Sequence, residues 1–153
     1  MTAEEKLKNL GYTLPECPRP VAAYIPGAIT DSGLVYLSGQ TAKKDGIPYL
    51  TGKVGKDISA EEAYLAAREC ALMLLAEMKE VLGDLEHVGK IVKVNGYVNS
   101  DPDFTEQPKV INGASEFFEQ VFGECGKHAR TAIGVAALPE NASVEVEVII
   151  QRK

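Results

Sequence analysis

The sequence predicts an α+β protein, a mixed β-sheet with two long helices packed on one of its faces. Three observations predict it. Ala63, Ala67, Cys70, Ala71, Leu74, Met78, Val81 and Leu82 recur at helical spacing, and Val110, Ile111, Ala114, Phe117, Phe118, Val121 and Phe122 form a second stripe of the same kind. Around them lie short β-prone runs, ending in the alternating Val144-Glu-Val-Glu-Val148. Read in order the chain is β-β-(β)-α-β-α-β-β. Two amphipathic helices and a half-apolar sheet bury one another when both helices share one sheet face.

From the start of the chain, Thr2 and Glu5 have the spacing of a capping box, and Gly11 is placed to end a short helix that reads as peripheral. The Pro-rich stretch Leu14 to Pro20 is extended or turning. Val21 to Ile29 reads as a first strand, weakened by Pro26 and Gly27. Asp31-Ser-Gly33 is a turn, and Leu34 to Gln40 completes a hairpin. Lys43 to Asp57, with three glycines and one proline, is loop-like, with a third short strand near Pro48 to Thr51. Ser59 and Glu62 cap the first long helix and Gly83 stops it. Ile91 to Asn99 is a strand whose Val92, Val94, Gly96 and Val98 oppose Lys93, Asn95, Tyr97 and Asn99. Ser100-Asp-Pro-Asp103 is a turn and start for the second long helix. Ala129 to Ala137 and Ser143 to Gln151 are the last strands. In the last of them Val144, Val146, Val148 and Ile150 should meet the helices. Ser143, Glu145, Glu147 and Ile149 share the open face, where mixed apolar and charged groups favour an oligomer surface.

Composition narrows the function classes. At 153 residues with a net charge of −6, the chain is expected to be a single domain (1–153), with 1–19 as an N-terminal extension. Acidic balance speaks against nucleic acid as a partner, since phosphate neutralisation needs clustered Lys and Arg. Cys17, Cys70 and Cys125 are odd in number and scattered, so neither a metal site nor a disulfide framework is indicated. No apolar run approaches a membrane span and no signal core is present, so a cytoplasmic, reducing location is expected. Asn141-Ala-Ser143 fits the glycosylation triplet but is better explained as a turn.

Charges inside strands are costly to bury unless paired or used. Arg130 offers a planar fork suited to a carboxylate. Glu145 offers an acceptor able to hold or activate water, although Glu147 alternates on the same strand. Together they point to a small pocket for an anionic small molecule. Ser38 and Gly39 end a strand, and a glycine there lets a ligand approach the backbone closely. Of the two histidines, His128 precedes a strand and reads as solvent-facing, with contact to the pocket as the alternative.

His128-Ala-Arg-Thr through Leu138-Pro139 and the Val/Glu strand after it resemble the RidA/YjgF family of reactive-intermediate deaminases, also called the L-PSP endoribonuclease family. Val21-Ala-Ala-Tyr24, Val35-Tyr-Leu-Ser-Gly-Gln40 and Ile111-Asn-Gly-Ala-Ser-Glu-Phe-Phe118 match further motifs in the right order. The resemblance covers roughly residues 20 to 151. It implies a chorismate-mutase-like fold and a homotrimer with sites between subunits. It implies hydrolysis of 2-aminoacrylate-type enamines and imines to 2-keto acids and ammonia, with no metal or organic cofactor. Arg130 would grip the substrate carboxylate and Glu145 would position water. Tyr24, Ser38, Gly39 and a partner-subunit Asn112 would shape the pocket. Ala132 stands where many members carry a cysteine that contributes mainly backbone groups. The N-terminal helix and the long loop after Gln40 place the chain in a longer, divergent branch. A non-catalytic carboxylate-binding trimer is the alternative, and ribonuclease chemistry a weaker one.

Overall fold

The computed structural model describes residues 1–20 and 22–153. Helix α1 is Ala3–Asn9, opened by the reciprocal Thr2–Glu5 capping box. It is not peripheral: Ala3 and Leu7 are buried in the core, and the Ala3 amide donates to the Glu86 carboxylate at 2.9 Å. Tyr12, just beyond, stacks edge-on against Phe117 with ring centroids 5.1 Å apart. Two apolar positions one turn apart are enough to dock so short a helix.

The first strand is shorter than expected. Only Gly27–Ile29 (β1) pairs. Val21 lies outside the described residues, and Ala22 to Pro26 turn instead, with the Tyr24 amide bonded to the Ala22 carbonyl. Pro26 has no amide to offer a ladder. The predicted run Leu34 to Gln40 is two strands, Leu34–Leu37 (β2) and Gln40–Thr41 (β3), separated at Ser38-Gly39. The third strand is displaced from its predicted place. Lys43–Lys44 (β4) and Ile47–Pro48 (β5) form a separate hairpin about Asp45-Gly46, both at positive φ. An Asp-Gly pair in a two-residue loop suits that turn.

Helix α2 spans Ala60–Leu82, begins at the Ser59–Glu62 capping box and stops at Gly83, whose φ is +85°. Strand β6 is Val88–Asn99, three residues longer than predicted at its start. A register shift between Ile91 and Lys93 makes Val92 the odd residue of a bulge, so Ile91, Val94 and Val98 form the buried row instead. Asn99 is buried too, where it donates to the Ala142 carbonyl and accepts from Lys53 Nζ. Helix α3, Gln107–Phe122, starts later than the Ser100–Asp103 turn. It packs on α2 so closely that a Cβ at Gly113 would fall on the Tyr64 carbonyl oxygen.

Strands β7 (Ala129–Val135) and β8 (Val144–Arg152) complete a mixed sheet of order β1-β2-β8-β6-β7. β3 pairs with β8 beyond the end of β2, and the β6–β7 pair alone is parallel. Val144, Val146, Val148 and Ile150 are buried with Leu74, Met78, Phe117 and Phe118 of the helices, as the alternation predicts. Ser143 departs from its expected place on the open face and is fully buried. Elsewhere that face leaves Tyr36 and Ile133 48% and 46% exposed. Among the described residues, no helix is long and apolar enough to cross a membrane.

Candidate functional site

The predicted site residues fall into two groups on opposite faces of the sheet. Arg130 sits on β7, at the sheet edge, opposite Val94 of β6, and so points to the helix side. Its Nη1 donates to Asn112 Oδ1 at 2.8 Å and to Ser115 Oγ at 3.2 Å. Asn112 and Ser115 are three residues apart on α3 and share one helix face. With both Nη1 hydrogens used, the Nε and Nη2 donors have no partner among the described residues. That leaves one whole edge of the guanidinium fork for a bidentate acceptor. Ala132 is one step along β7, opposite Gly96, and packs against the core.

Ser115 is a contact the sequence reading missed, though its spacing from Asn112 carried the signal. His128 is not solvent-facing. Its Nε2 lies 2.8 Å from Ser115 Oγ, its Nδ1 2.6 Å from the Gly126 carbonyl, and its ring packs edge-on to Phe118. Burial, then the Arg130 charge, lowers its pKa below the ordinary histidine value, against the opposing Gly126 hydrogen bond. The carbonyl only accepts, so Nδ1 carries the proton and Nε2 accepts from the Ser115 hydroxyl.

The second group surrounds Glu145 on the open face. Glu145 lies on β8 between Thr41 of β3 and Tyr97 of β6. A Cβ at Gly39 would stand 3.3 Å from its carboxyl carbon, so the group packed against Gly39 is this side chain of the same chain. Ser38 is engaged otherwise. Its hydroxyl donates to the Ile25 carbonyl at 2.6 Å and its amide to Pro26, tying down the turn that carries Tyr24. Tyr24 is 50% exposed.

Glu145 and Glu147 are distinguished by their neighbours. Glu147 accepts from Tyr97 Oη at 2.5 Å and from Asn95 Nδ2 at 3.3 Å. Glu145 has no hydrogen-bond partner among the described residues. Burial, and then the charge of Glu147, raises its pKa above the ordinary carboxylate value. A half-buried, unpartnered carboxyl of this kind is able to exchange protons with a bound molecule.

Arg130 and Glu145 are not brought together within one chain. Two strand spacings separate them, about 10 Å, together with a three-residue offset of about 10 Å more along the strands. Two broad grooves of about 790 and 1030 Å³ run beside residues 12–17 and α2. Neither is lined by Arg130, Glu145, Tyr24, Ser38, Gly39, Asn112 or Ala132. Among the described residues no cluster of His, Cys, Asp and Glu has the arrangement of a metal site.

The profile of the family described as "YjgF/chorismate mutase-like, putative endoribonuclease" matches residues 4–151. The chain is 44% identical over 147 residues to Protein TCP17 of Trypanosoma cruzi, covering 95% of this chain and 91% of that protein. It is 30% identical over 138 residues to a 2-iminobutanoate/2-iminopropanoate deaminase of Dermatophagoides farinae, covering 89% and 91%. A crystal structure of Atu1372 from Agrobacterium tumefaciens, a protein of unknown function, superposes with a TM-score of 0.91 at 44% identity, covering 99% of this chain and 92% of that one.

Proposed function

Because the chain belongs to the YjgF/chorismate-mutase-like family, we propose that it hydrolyses short-lived imines of 2-amino acids to 2-keto acids and ammonia. The observation that carries this reading is the contrast on β8: Glu147 is hydrogen-bonded within the sheet, while Glu145 is unpartnered with a raised pKa. The relative from Dermatophagoides farinae, whose name is that activity, lends it support.

The site would be completed between two copies of the chain. The Arg130–Asn112 edge of one copy would meet the Glu145–Gly39 region of the next, so Asn112 would travel with Arg130 to the partner side. β7 and the β2–β3 side are opposite edges of the sheet, and an edge-to-edge, head-to-tail contact closes into a ring such as a trimer. The exposed Tyr36 and Ile133 would be covered in that ring.

The chemistry then follows from the residues. The free edge of Arg130 binds the substrate carboxylate and orients the C=N bond. Glu145 takes a proton from water as its oxygen attacks the imine carbon. Glu145 passes that proton to the imine nitrogen to give a neutral carbinolamine, then takes the carbinolamine O–H proton and delivers it to the nitrogen as the C–N bond breaks, leaving the 2-keto acid carbonyl and ammonia. Spontaneous hydrolysis already proceeds, so positioning and one proton carrier suffice, with no metal or organic cofactor required. Tyr24, on the loop held by Ser38, would close over the ligand from the partner surface. The backbone at Ala132 would line the Arg130 side.

One feature favours a second reading, a non-catalytic binder of small carboxylates. The anion-holding half, Arg130 with Asn112, is complete within one chain and does not need Glu145. Ribonuclease chemistry has less support, because both ring nitrogens of His128 and Nδ1 of His87 are engaged. The test generates a 2-imino acid from serine with a PLP-dependent dehydratase and traps it with semicarbazide. Suppression of semicarbazone by the wild type, lost in Arg130→Ala and Glu145→Gln, supports the deaminase. Wild-type protein that suppresses nothing but binds pyruvate establishes the binder instead.

A further inference from the structure

We propose that Ser115 and His128 are positioning residues for Arg130, a two-member relay that locks the guanidinium so that its Nε–Nη2 edge is presented to a ligand carboxylate. This rests on the reading of Arg130 as the carboxylate-binding group. It goes beyond that reading by assigning work to two side chains that do not touch the ligand.

The Gly126 carbonyl accepts from His128 Nδ1–H at 2.6 Å, which leaves Nε2 as an acceptor. Ser115 Oγ, 2.8 Å away, satisfies it by donating its only proton. The serine oxygen is then left with lone pairs alone, and one of them faces Arg130 Nη1 at 3.2 Å. Each link fixes the polarity of the next, so the serine can act toward arginine only as an acceptor. Asn112 Oδ1 takes the other Nη1 hydrogen at 2.8 Å. Two acceptors on one nitrogen fix the guanidinium plane, which a flexible three-carbon stem would otherwise leave free to rotate.

The relay is held from outside the site. Gly126 is buried, and a Cβ there would fall on the Phe118 carbonyl, so the loop before β7 is pressed onto α3. The His128 ring packs edge-on to Phe118 of the same helix. The charged groups that face it are Arg130, on the strand it leads into, and Glu119 on α3. With its charged form disfavoured, the histidine keeps the acceptor role near neutral pH.

The test combines kinetics with a readout that a merely structural role would leave still. In the imine assay, Ser115→Ala should raise KM about tenfold while kcat stays within about twofold, because carboxylate binding is common to ground and transition states. His128→Gln, which keeps an acceptor near the Nε2 position, should retain most of the wild-type KM, whereas His128→Phe should match Ser115→Ala. Thermal melts of each variant separate this from unfolding. ¹⁵N NMR of the wild type should show His128 as the Nδ1–H tautomer. Pyruvate binding should raise its pKa by offsetting the Arg130 charge, and Arg130→Ala should abolish that response. If the wild type is inactive on imines yet the pyruvate response remains, the deaminase reading falls and the relay stands. An Nε2–H tautomer, or unchanged pyruvate affinity and KM in folded Ser115→Ala and His128→Phe, overturns the relay.

Discussion

Glu145 and Glu147 project from the same face of β8, two residues apart, yet Tyr97 and Asn95 both donate to Glu147 while Glu145 accepts from no described residue. One carboxylate is committed to the sheet and the other is left for chemistry. The raised pKa of Glu145 follows from the same arrangement, since it is half-buried beside a charge of its own sign.

Glu145→Gln should therefore remove imine hydrolysis by two orders of magnitude or more, on the order of general acid–base contributions, while pyruvate binding measured by calorimetry persists. Glu147→Gln should keep turnover. Glu145 must be ionised to take a proton from water, so the rate should fall on the acid side, at a higher pH than an ordinary glutamate would give. Removing the Glu147 charge should move that limb to lower pH. A limb unmoved by Glu147→Gln would disprove the coupling.

Arg130→Lys should behave as a severe loss, not a conservative change. A lysine ammonium cannot hold Asn112 and Ser115 on one side and a two-oxygen carboxylate on the other. The expected loss in kcat/KM is about tenfold to a hundredfold. Full activity in Arg130→Lys would mean that charge alone suffices there.

Glu77 gives a prediction about stability and pH. It is 1% exposed on α2, accepts from Gln40 Nε2 at 2.8 Å through one oxygen, and has its other oxygen unpartnered. Burial pushes its pKa up to about 8, against the lowering effect of Gln40. The unfolded chain releases this proton in the ordinary carboxylate range, so between there and about 8 the folded state holds more protons. This contribution is fully present at low pH and is lost as pH rises to about 8. Between pH 6 and 9 the wild-type Tm should drop by several degrees relative to Glu77→Gln. Parallel curves for the two proteins would refute the assignment.

Two packing variants probe the fold. Leu7→Ala should cost about 2–5 kcal/mol if α1 belongs to the core, read from urea unfolding. Gly113→Ala should do more damage, since its methyl group meets the Tyr64 backbone and α2 and α3 would have to part. A near-neutral Leu7→Ala would return α1 to the periphery.

Much of this architecture was legible in the sequence. Both capping boxes, the α2 and α3 stripes and the inward row of β8 formed as read, because each depends on local spacing and on one hydrophobic face. Backbone pairing was not legible in the same way. Val92 left the core through a bulge, Leu34 to Gln40 broke at Ser38-Gly39, and the Asp45-Gly46 hairpin moved a strand forward, although that dipeptide was a usable signal. The first strand begins only at Gly27 because the Ile25 and Pro26 carbonyls bond to Ser38, thirteen and twelve residues onward.

By itself the sequence determined the α+β fold and singled out Arg130 and Glu145 as charges in strands that needed a use. The tertiary structure alone decided which groups surround each of them. It gave Arg130 to Asn112 and Ser115 with His128 behind the serine, took Glu147 out of contention, and put Arg130 and Glu145 on opposite faces. The reason is physical: periodicity fixes which way a side chain points along its own element. Partners across strands and helices depend on register, bulges and close approach, which are settled only when the elements pack.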